Sequence, residues 1–330
     1  MSAQTTPETS PSGAADPGPA GPPVLYLAGI GRSGTTLLER VLGAVPGVVA
    51  LGETMHLWER GLERGERCGC GEPFTACEFW AAVGEDAFGG WEHVDTARMA
   101  ALKQRVDRAS RVPALAAGAM AEDVREYAAA YRAVHAAAAR VSGARVVVDS
   151  SKQVSLAWAL ALGGADVRLV HCLRDARGVA HSWAQEVARP EAVDAAHGEM
   201  PRYSAATVSA LWLLHNVEIE ALGRRVPSMR LRYEDFVADP RTTTREVLSL
   251  VGLAHAPLPH VTHDALELGV THSCAGNPMR YTHGSVPVRR DERWRTGQPA
   301  AQRRAVTALT WPLLRRYSYS TSYGQAASTR

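Results

Sequence analysis

The chain has 330 residues, 46% of them apolar, and a formal net charge of +2. This length and composition predict a substantial buried core, and a charge so close to neutral gives no support for a nucleic-acid partner. No apolar run approaches the roughly 18 residues of a membrane-spanning helix, and the N-terminus lacks the basic and apolar regions of a signal peptide. We therefore expect a cytoplasmic protein without a membrane span.

Cysteine and lysine are both scarce in the chain. The five cysteines form an odd, scattered set that does not indicate a disulfide framework. Of the 36 basic residues, only Lys103 and Lys152 are lysines. Because the chain uses arginine almost everywhere else, each lysine is a candidate for a specific chemical role.

Residues 1–23 are rich in Pro, Gly, Ser, Thr and Ala, which predicts a disordered tail. The remainder, residues 24–330, is expected to form a single domain. Short apolar runs predict strands at residues 24–28, 48–51, 146–148, 167–173 and 229–232. Helical patterns separate these runs, beginning with residues 35–45. We therefore predict an α/β fold of three layers with a central parallel sheet.

Residues 54–140 depart from this alternation. They contain Trp58, Trp80 and Trp91, followed by two helical stretches around Pro113. In the second stretch, apolar residues recur with the i, i+3, i+4 spacing of an amphipathic helix. We predict a helical insertion that caps the sheet.

A glycine-rich segment, GIGRSGTT, joins the first predicted strand to the first predicted helix and begins at Gly29. Glycines allow backbone N–H groups to point inward, and a helix N-terminus adds positive charge, so the segment predicts a phosphate-binding loop. A nucleoside-triphosphatase loop requires a lysine after its last glycine, and Thr35 occupies that position here. Arg32 supplies the nearest side-chain charge. Because Asp149 resembles a magnesium-binding acid, a P-loop kinase or NTPase stays open as an alternative, as does a non-catalytic nucleotide-binding protein.

With these residues the chain resembles the sulfotransferases that use 3′-phosphoadenosine 5′-phosphosulfate (PAPS), which implies a P-loop-like fold of the bacterial cytosolic type. Their 3′-phosphate site pairs an arginine at the end of a strand with a serine eight residues later, and Arg174 and Ser182 have this spacing. The segment RYEDF at residues 232–236 is also similar to one common in the family. The 5′-phosphosulfate loop of the family is similar to Gly31, Arg32, Ser33, Gly34, Thr35 and Thr36.

The resemblance also implies catalytic residues. In the tyrosylprotein branch of the family, a glutamate at the distance of Glu53 from the loop arginine, Arg32, and followed by threonine is the catalytic base. Glu53 follows the second predicted strand, which we expect to lie beside the first. Family members place a lysine near the position of Lys152, against the bridging oxygen of the donor. A basic C-terminal loop closes over the nucleotide, for which Arg280 is the best candidate and His272 the second.

These assignments imply transfer of the sulfuryl group of PAPS to an acceptor hydroxyl or amine, with release of adenosine 3′,5′-bisphosphate. A small molecule, a carbohydrate or a lipid-like metabolite is the expected acceptor. No metal is expected to be required, because arginine, lysine and backbone N–H groups neutralise the charge of the donor.

Three cysteines, Cys68, Cys70 and Cys77, lie close together in the sequence. They would form a zinc site with a fourth ligand such as His56 or His93. Zinc sites usually show two close cysteine pairs, whereas this segment has one tight pair and a single cysteine. The favoured interpretation is therefore three cysteines in a glycine-rich turn without metal.

Overall fold

The computed structural model describes residues 21–188 and 199–321. Most of the predicted N-terminal tail, residues 1–20, therefore lies outside the described residues. The assignment of residues 24–330 to a single domain stays a prediction.

Five parallel strands form the central sheet, which confirms the predicted fold class. Their order across the sheet is β2-β3-β1-β4-β5. Their bounds are β1 (Val24–Ala28), β2 (Val48–Ala50), β3 (Val146–Lys152), β4 (Val167–Leu173) and β5 (Ser228–Arg232). The sequence analysis expected the second strand to lie beside the first. That expectation is wrong, because β3 lies between β1 and β2.

Strand β3 is longer than its apolar run predicts, because its polar continuation is buried and hydrogen-bonded. Ser150 Oγ donates to Glu39 Oε2 over 2.7 Å, and Asp149 accepts from the side chain and the backbone of Ser151. Buried polar groups are tolerated in a strand when they find such partners. The strand therefore runs on to Lys152.

A bulge at the end of β3 changes the direction of Lys152. Tyr26 of β1 lies opposite Asp149, but Ala28 lies opposite Lys152, so β3 contains one more residue than β1 over this stretch. Lys152 has a φ of 66°, in the left-handed region that non-glycine residues rarely adopt. Such bulges bend a strand and redirect a side chain at its end.

Helices cover both faces of the sheet. Those of the described residues are α1 (Thr35–Gly43), α2 (Glu78–Phe88), α3 (Thr96–Val106), α4 (Val112–Ala116), α5 (Ala121–Ser142), α6 (Val154–Leu162), α7 (Ala176–Trp183), α8 (Ala205–Leu222), α9 (Tyr233–Ala238), α10 (Pro240–Ser249), α11 (Trp294–Gly297) and α12 (Ala300–Arg316). A π-helix, Leu57–Glu63, precedes α2. An antiparallel pair, β6 (Ala265–Leu268) and β7 (Gly284–Pro287), follows α10.

Alternate residues of the central strand β1 enter two different cores. Tyr26 packs with residues of α2 to α6, in the same core as Trp58 and Trp80. Leu25 and Leu27 pack on the opposite face with residues of α1, α9 and α10. Both faces of the strand are thus buried, as its uninterrupted apolar sequence predicts. The aromatic segment predicted as an insertion lies on one face of the sheet.

Candidate active site

The carboxyl ends of all five strands meet at a cavity of about 720 Å³. This volume lies within the range of about 300–1,000 Å³ typical of ligand sites. Open parallel sheets bind their ligands at this edge. One lining residue comes from the end of each strand in turn: Gly29 after β1, Glu53 after β2, Lys152 in β3, Arg174 after β4 and Tyr233 after β5.

The glycine-rich loop forms one wall of the cavity. Arg32 and Gly34 both have left-handed backbone, with φ of 77° and 82°, and Gly34 directly precedes α1. The first N–H groups of a helix have no partner within it, so they and the positive end of the helix are available to an anion. Gly31, Arg32, Gly34, Thr35 and Thr36 line the cavity.

Two of the loop glycines are required by the aromatic rings packed against them. A Cβ on Gly31 would lie 2.7 Å from the ring of Trp183, and one on Gly34 would lie 2.7 Å from the ring of Tyr233. Both separations are shorter than real Cβ atoms show. The glycines therefore allow the loop to pack closely between two aromatic side chains.

Arg32 and Arg174 bring two positive charges to this wall. Arg174 Nη1 donates to the carbonyl oxygen of Arg32 over 2.9 Å, and its guanidinium lies 4.6 Å from the centre of the Tyr233 ring. The Arg32 guanidinium lies 5.1 Å from the centre of the Trp183 ring. Burial lowers the pKa of Arg32, and nearby Glu53 opposes that shift. Planar guanidinium groups held in this way are suited to bind phosphate.

The predicted 3′-phosphate pair, Arg174 and Ser182, lines the same cavity. Ser182 lies in α7, whose N-terminal cap, Asp175, is paired with Arg177 and not with Arg174. Arg174 Nη2 instead donates to Asp291 Oδ2 over 3.1 Å. A hydrogen bond from Arg293 and, to a smaller extent, the charge of Arg174 hold the pKa of Asp291 well below its usual range, against the effect of burial. Asp291 therefore offers Arg174 a negative charge at the place predicted for a phosphate.

Glu53 and Lys152 form an ion pair at the opposite side of the loop. Lys152 Nζ hydrogen-bonds Glu53 Oε1, and His56 Nε2 lies 3.7 Å from the other carboxylate oxygen. Burial raises the pKa of Glu53, but the charge and hydrogen bond of Lys152, together with the nearby His56 and Arg60, outweigh burial, and the net pKa is below the ordinary value. Burial lowers the pKa of His56 to about 3, so this imidazole is neutral at pH 7.

Arg280 does not lie where the sequence interpretation placed it. Its guanidinium is buried and donates to the carbonyl oxygens of Ser273, over 2.8 Å, and Arg67, over 2.7 Å. Among the described residues that line the cavity, Gly276, Asn277 and Met279 come from this segment, but Arg280 does not. The prediction that Arg280 closes over a nucleotide therefore does not fit the structure.

Two further candidates lie away from the cavity lining. Ser33, predicted to bind the phosphosulfate, is 3% exposed. His272, the second candidate for the C-terminal loop, lies beside Cys77, with 3.3 Å between Nδ1 and Sγ. Neither residue is among those that line the cavity.

The cavity also contains side chains that the sequence interpretation missed. Trp183 and Tyr203 form a ring pair with 4.9 Å between centres, and His215 of α8 lies on the same lining. Burial lowers the pKa of His215. Trp183 directly follows Ser182 in the sequence, so the motif itself pointed to its position, whereas nothing local marks His215.

The sheet and the glycine-rich loop define an α/β protein that presents an anion-binding loop at the carboxyl edge of a parallel sheet. A model of the sulfotransferase family matches residues 23–257, and the chain belongs to that family. Membership supports sulfuryl transfer as its activity. No curated protein is significantly similar to the chain in sequence.

Two solved bacterial sulfotransferases are among the structures to which the chain is similar. The sulfotransferase domain of the Synechococcus PCC 7002 olefin synthase is 18% identical, with a TM-score of 0.50, and the match covers 92% of this chain and 98% of that chain. STF9 from Mycobacterium avium is 14% identical, with a TM-score of 0.45 and coverage of 92% and 78%. At this level of identity, the Synechococcus domain supports the fold alone. None of the helices in the described ranges is long and apolar enough to span a bilayer.

Proposed function

We propose that this protein transfers the sulfuryl group of PAPS to a hydroxyl or amine of a small-molecule, carbohydrate or lipid-like acceptor. The observation that carries the proposal is the shared cavity. The glycine-rich loop, the Arg174–Ser182 pair and the Glu53–Lys152 pair all line it. PAPS has phosphate groups at its 5′ and 3′ positions. The 5′-phosphosulfate is complementary to the loop, and the 3′-phosphate is complementary to the arginine–serine pair.

In the proposed complex, the N–H groups of the loop and the start of α1 hold the 5′-phosphosulfate, with Arg32 at its side. Arg174 and Ser182 bind the 3′-phosphate, which takes the place of the Asp291 carboxylate on Arg174. Exchange of one anion for another leaves the buried guanidinium paired throughout. That exchange avoids the cost of an unpaired buried charge.

In the proposed reaction, the acceptor oxygen or nitrogen attacks sulfur, and the bond from sulfur to the bridging phosphate oxygen breaks. Glu53 accepts the proton of the acceptor, and adenosine 3′,5′-bisphosphate leaves. Lys152 donates to the bridging oxygen, where negative charge develops. Because Lys152 now lowers the pKa of Glu53, moving its charge towards the leaving group makes Glu53 a stronger base.

The environment of Asp149 argues against the kinase or NTPase alternative. Asp149 is fully buried, accepts from Thr54 Oγ1 over 2.5 Å, and lies 3.1 Å from His135 Nε2. Its carboxylate does not line the cavity among the described residues. A magnesium-binding acid would have to face the phosphates.

Ligand-induced stabilisation tests the donor assignment. We expect adenosine 3′,5′-bisphosphate to stabilise the fold more than AMP or ATP, by about 2.7 kcal/mol at 100 times its dissociation constant. Equal shifts in melting temperature with AMP would contradict a 3′-phosphate site.

Turnover must be measured separately from binding. Incubation with PAPS and an acceptor panel, followed by mass spectrometry, should reveal products heavier by one sulfuryl group in the presence of EDTA. Activity that is lost in EDTA and restored by Mg²⁺ would favour a kinase or NTPase. Binding of PAPS without any product would favour the non-catalytic alternative.

A further inference from the structure

Three cysteines and a histidine converge at a place outside the cavity lining. The sulfur atoms of Cys68, Cys70 and Cys77 and Nδ1 of His272 all lie within 4.8 Å of one another. Cys68 and Cys77 are buried, whereas Cys70 and His272 are half-buried. The three cysteines come from one short segment, but His272 lies 195 residues beyond Cys77.

Three of the six separations between these atoms lie close to the edges of a tetrahedron around one zinc ion. With Zn–S bonds of about 2.3 Å and a Zn–N bond of about 2.0 Å, tetrahedral geometry places two sulfurs about 3.8 Å apart and sulfur and nitrogen about 3.5 Å apart. The observed Cys70–Cys77 sulfur separation is 3.7 Å. His272 Nδ1 lies 3.3 Å from the Cys77 sulfur and 3.9 Å from that of Cys68.

The backbone of the cysteine turn is held by its own hydrogen bonds. Cys68 N donates to Glu72 O over 2.8 Å, and Gly71 N donates to Cys68 O over 2.9 Å. These bonds hold the backbone on which Cys68 and Cys70 lie.

The imidazole of His272 is held in a defined orientation. Its ring stacks on Phe79, with 5.0 Å between centres and 19° between planes. Trp80 Nε1 donates to the backbone oxygen of His272 over 2.7 Å. These contacts hold the ring with Nδ1 facing the cysteines, as a preformed metal site requires.

We propose that Cys68, Cys70, Cys77 and His272 bind one structural zinc ion. Four protein ligands complete a tetrahedral shell and leave no open position, which distinguishes a structural from a catalytic zinc site. His272 is the fourth ligand in place of His56 or His93, the two histidines considered from the sequence. This proposal differs from the favoured sequence interpretation, which was a turn without metal.

The ion would join two distant segments behind the ion pair of the active site. Gly69 N donates to Ser273 O over 3.0 Å, and Cys274 N donates to Leu51 O over 2.8 Å. Glu53 N lies 3.4 Å from Ala275 O. The zinc site therefore secures the segment of residues 273–275, to which the backbone of Glu53 is hydrogen-bonded, without contributing to the chemistry.

Metal analysis of the purified wild-type chain is the primary test. Elemental analysis should find about one zinc ion per chain, and replacement by Co²⁺ should give the visible absorption of a tetrahedral thiolate site. A chain that holds no zinc, and that binds neither Zn²⁺ nor Co²⁺ after reduction, would overturn the proposal. A Cys70–Cys77 disulfide, seen by mass spectrometry in that metal-free chain, would overturn it as well.

Substitutions assign the ligands. Cys77→Ser and His272→Ala should lose most of the bound metal and weaken the Co²⁺ absorption. Cys172→Ala and His93→Ala are matched controls, since they remove a cysteine and a histidine outside the cluster, and they should keep about one ion per chain. Full zinc retention by His272→Ala, with loss in His93→Ala, would contradict the assignment. Because zinc content is measured without PAPS, failure here is distinguishable from failure of the proposed reaction.

Discussion

At the scale of single residues, the Glu53 carboxylate is the most informative group. It is buried, and its pKa lies below the ordinary value. Its partners Lys152 and His56 line the cavity at the carboxyl edge of the sheet together with it. A depressed pKa keeps the carboxylate ionised at neutral pH and ready to accept a proton. The same geometry would also stabilise the fold as an ion pair, so activity and stability must be measured separately.

We predict that Glu53→Gln lowers the single-turnover rate of sulfuryl transfer by about 10²- to 10⁴-fold while the affinity for adenosine 3′,5′-bisphosphate stays nearly unchanged. The amide keeps the size of the side chain but cannot accept the proton. Glu126→Gln, at an exposed glutamate of α5 that pairs with Arg98, is the control. Transfer at near the wild-type rate by a folded Glu53→Gln variant would exclude this residue as the base and turn attention to His56.

The two lysines allow a second comparison. Lys152→Ala should lower turnover by about 10²- to 10³-fold, because one donor to the developing charge is lost. Lys103 is not among the residues that line the cavity, and its Nζ donates to the backbone oxygen of Met55 over 2.6 Å, so Lys103→Ala should have a much smaller effect. Steady-state rates and melting temperatures of both variants provide the measurement. Similar mild losses in the two variants would show that the scarcity of lysine carried no functional meaning.

At the scale of elements, β4 and α7 together present Arg174 and Ser182 to the cavity. The arginine ends a strand and the serine lies two helical turns later, so one βα unit fixes the distance between them. Local chain geometry is sufficient for this, and the spacing in the sequence was therefore informative. The contact of Arg174 with Asp291, by contrast, depends on a segment 117 residues away.

We predict that Arg174→Ala weakens binding of adenosine 3′,5′-bisphosphate by about tenfold to a hundredfold, the range for loss of hydrogen bonds to a charged group. Ser182→Ala should weaken it by about two- to tenfold, as loss of a single neutral donor does. Isothermal titration with AMP is the control, because AMP lacks the 3′-phosphate. Equal losses for both nucleotides would assign Arg174 to the support of the loop through Arg32.

At the scale of the whole molecule, stability is coupled to the buried carboxyl of Glu39 in α1. This side chain is 1% exposed, and burial raises its pKa to about 7, although Ser150 donates to it. A carboxyl whose pKa is raised by folding contributes most stability below its unfolded pKa. That contribution is lost as the pH rises through the folded pKa.

We therefore predict that Glu39→Gln removes part of the pH dependence of unfolding. Between about pH 5 and pH 8, the wild type should lose on the order of 2 kcal/mol of stability relative to the variant. Urea unfolding of both chains at each pH measures this difference, and the comparison cancels contributions from other carboxyls such as Glu218. Parallel stability curves for the two chains would contradict the assignment of the raised pKa to Glu39.

The sequence by itself determined the features that depend on neighbouring residues. The uninterrupted apolar run of β1, the glycine-rich turn and the helix that follows it are local, so the fold class and the wall of the cavity formed by the glycine-rich loop could be predicted. Glu53 and Lys152 both lie at or after the carboxyl end of a strand, and parallel strands all end at one edge of the sheet. The resemblance to the sulfotransferases had pointed to both residues as catalytic candidates.

Only the tertiary structure decided which distant residues meet. It inserted β3 between β1 and β2, and a bulge directs Lys152 onto Glu53. It buried Arg280 among backbone carbonyls and brought His272 to the cysteines. Contacts between residues that are distant in the sequence follow from the packing of whole elements around the cores. The spacing of residues along the chain therefore does not predict them.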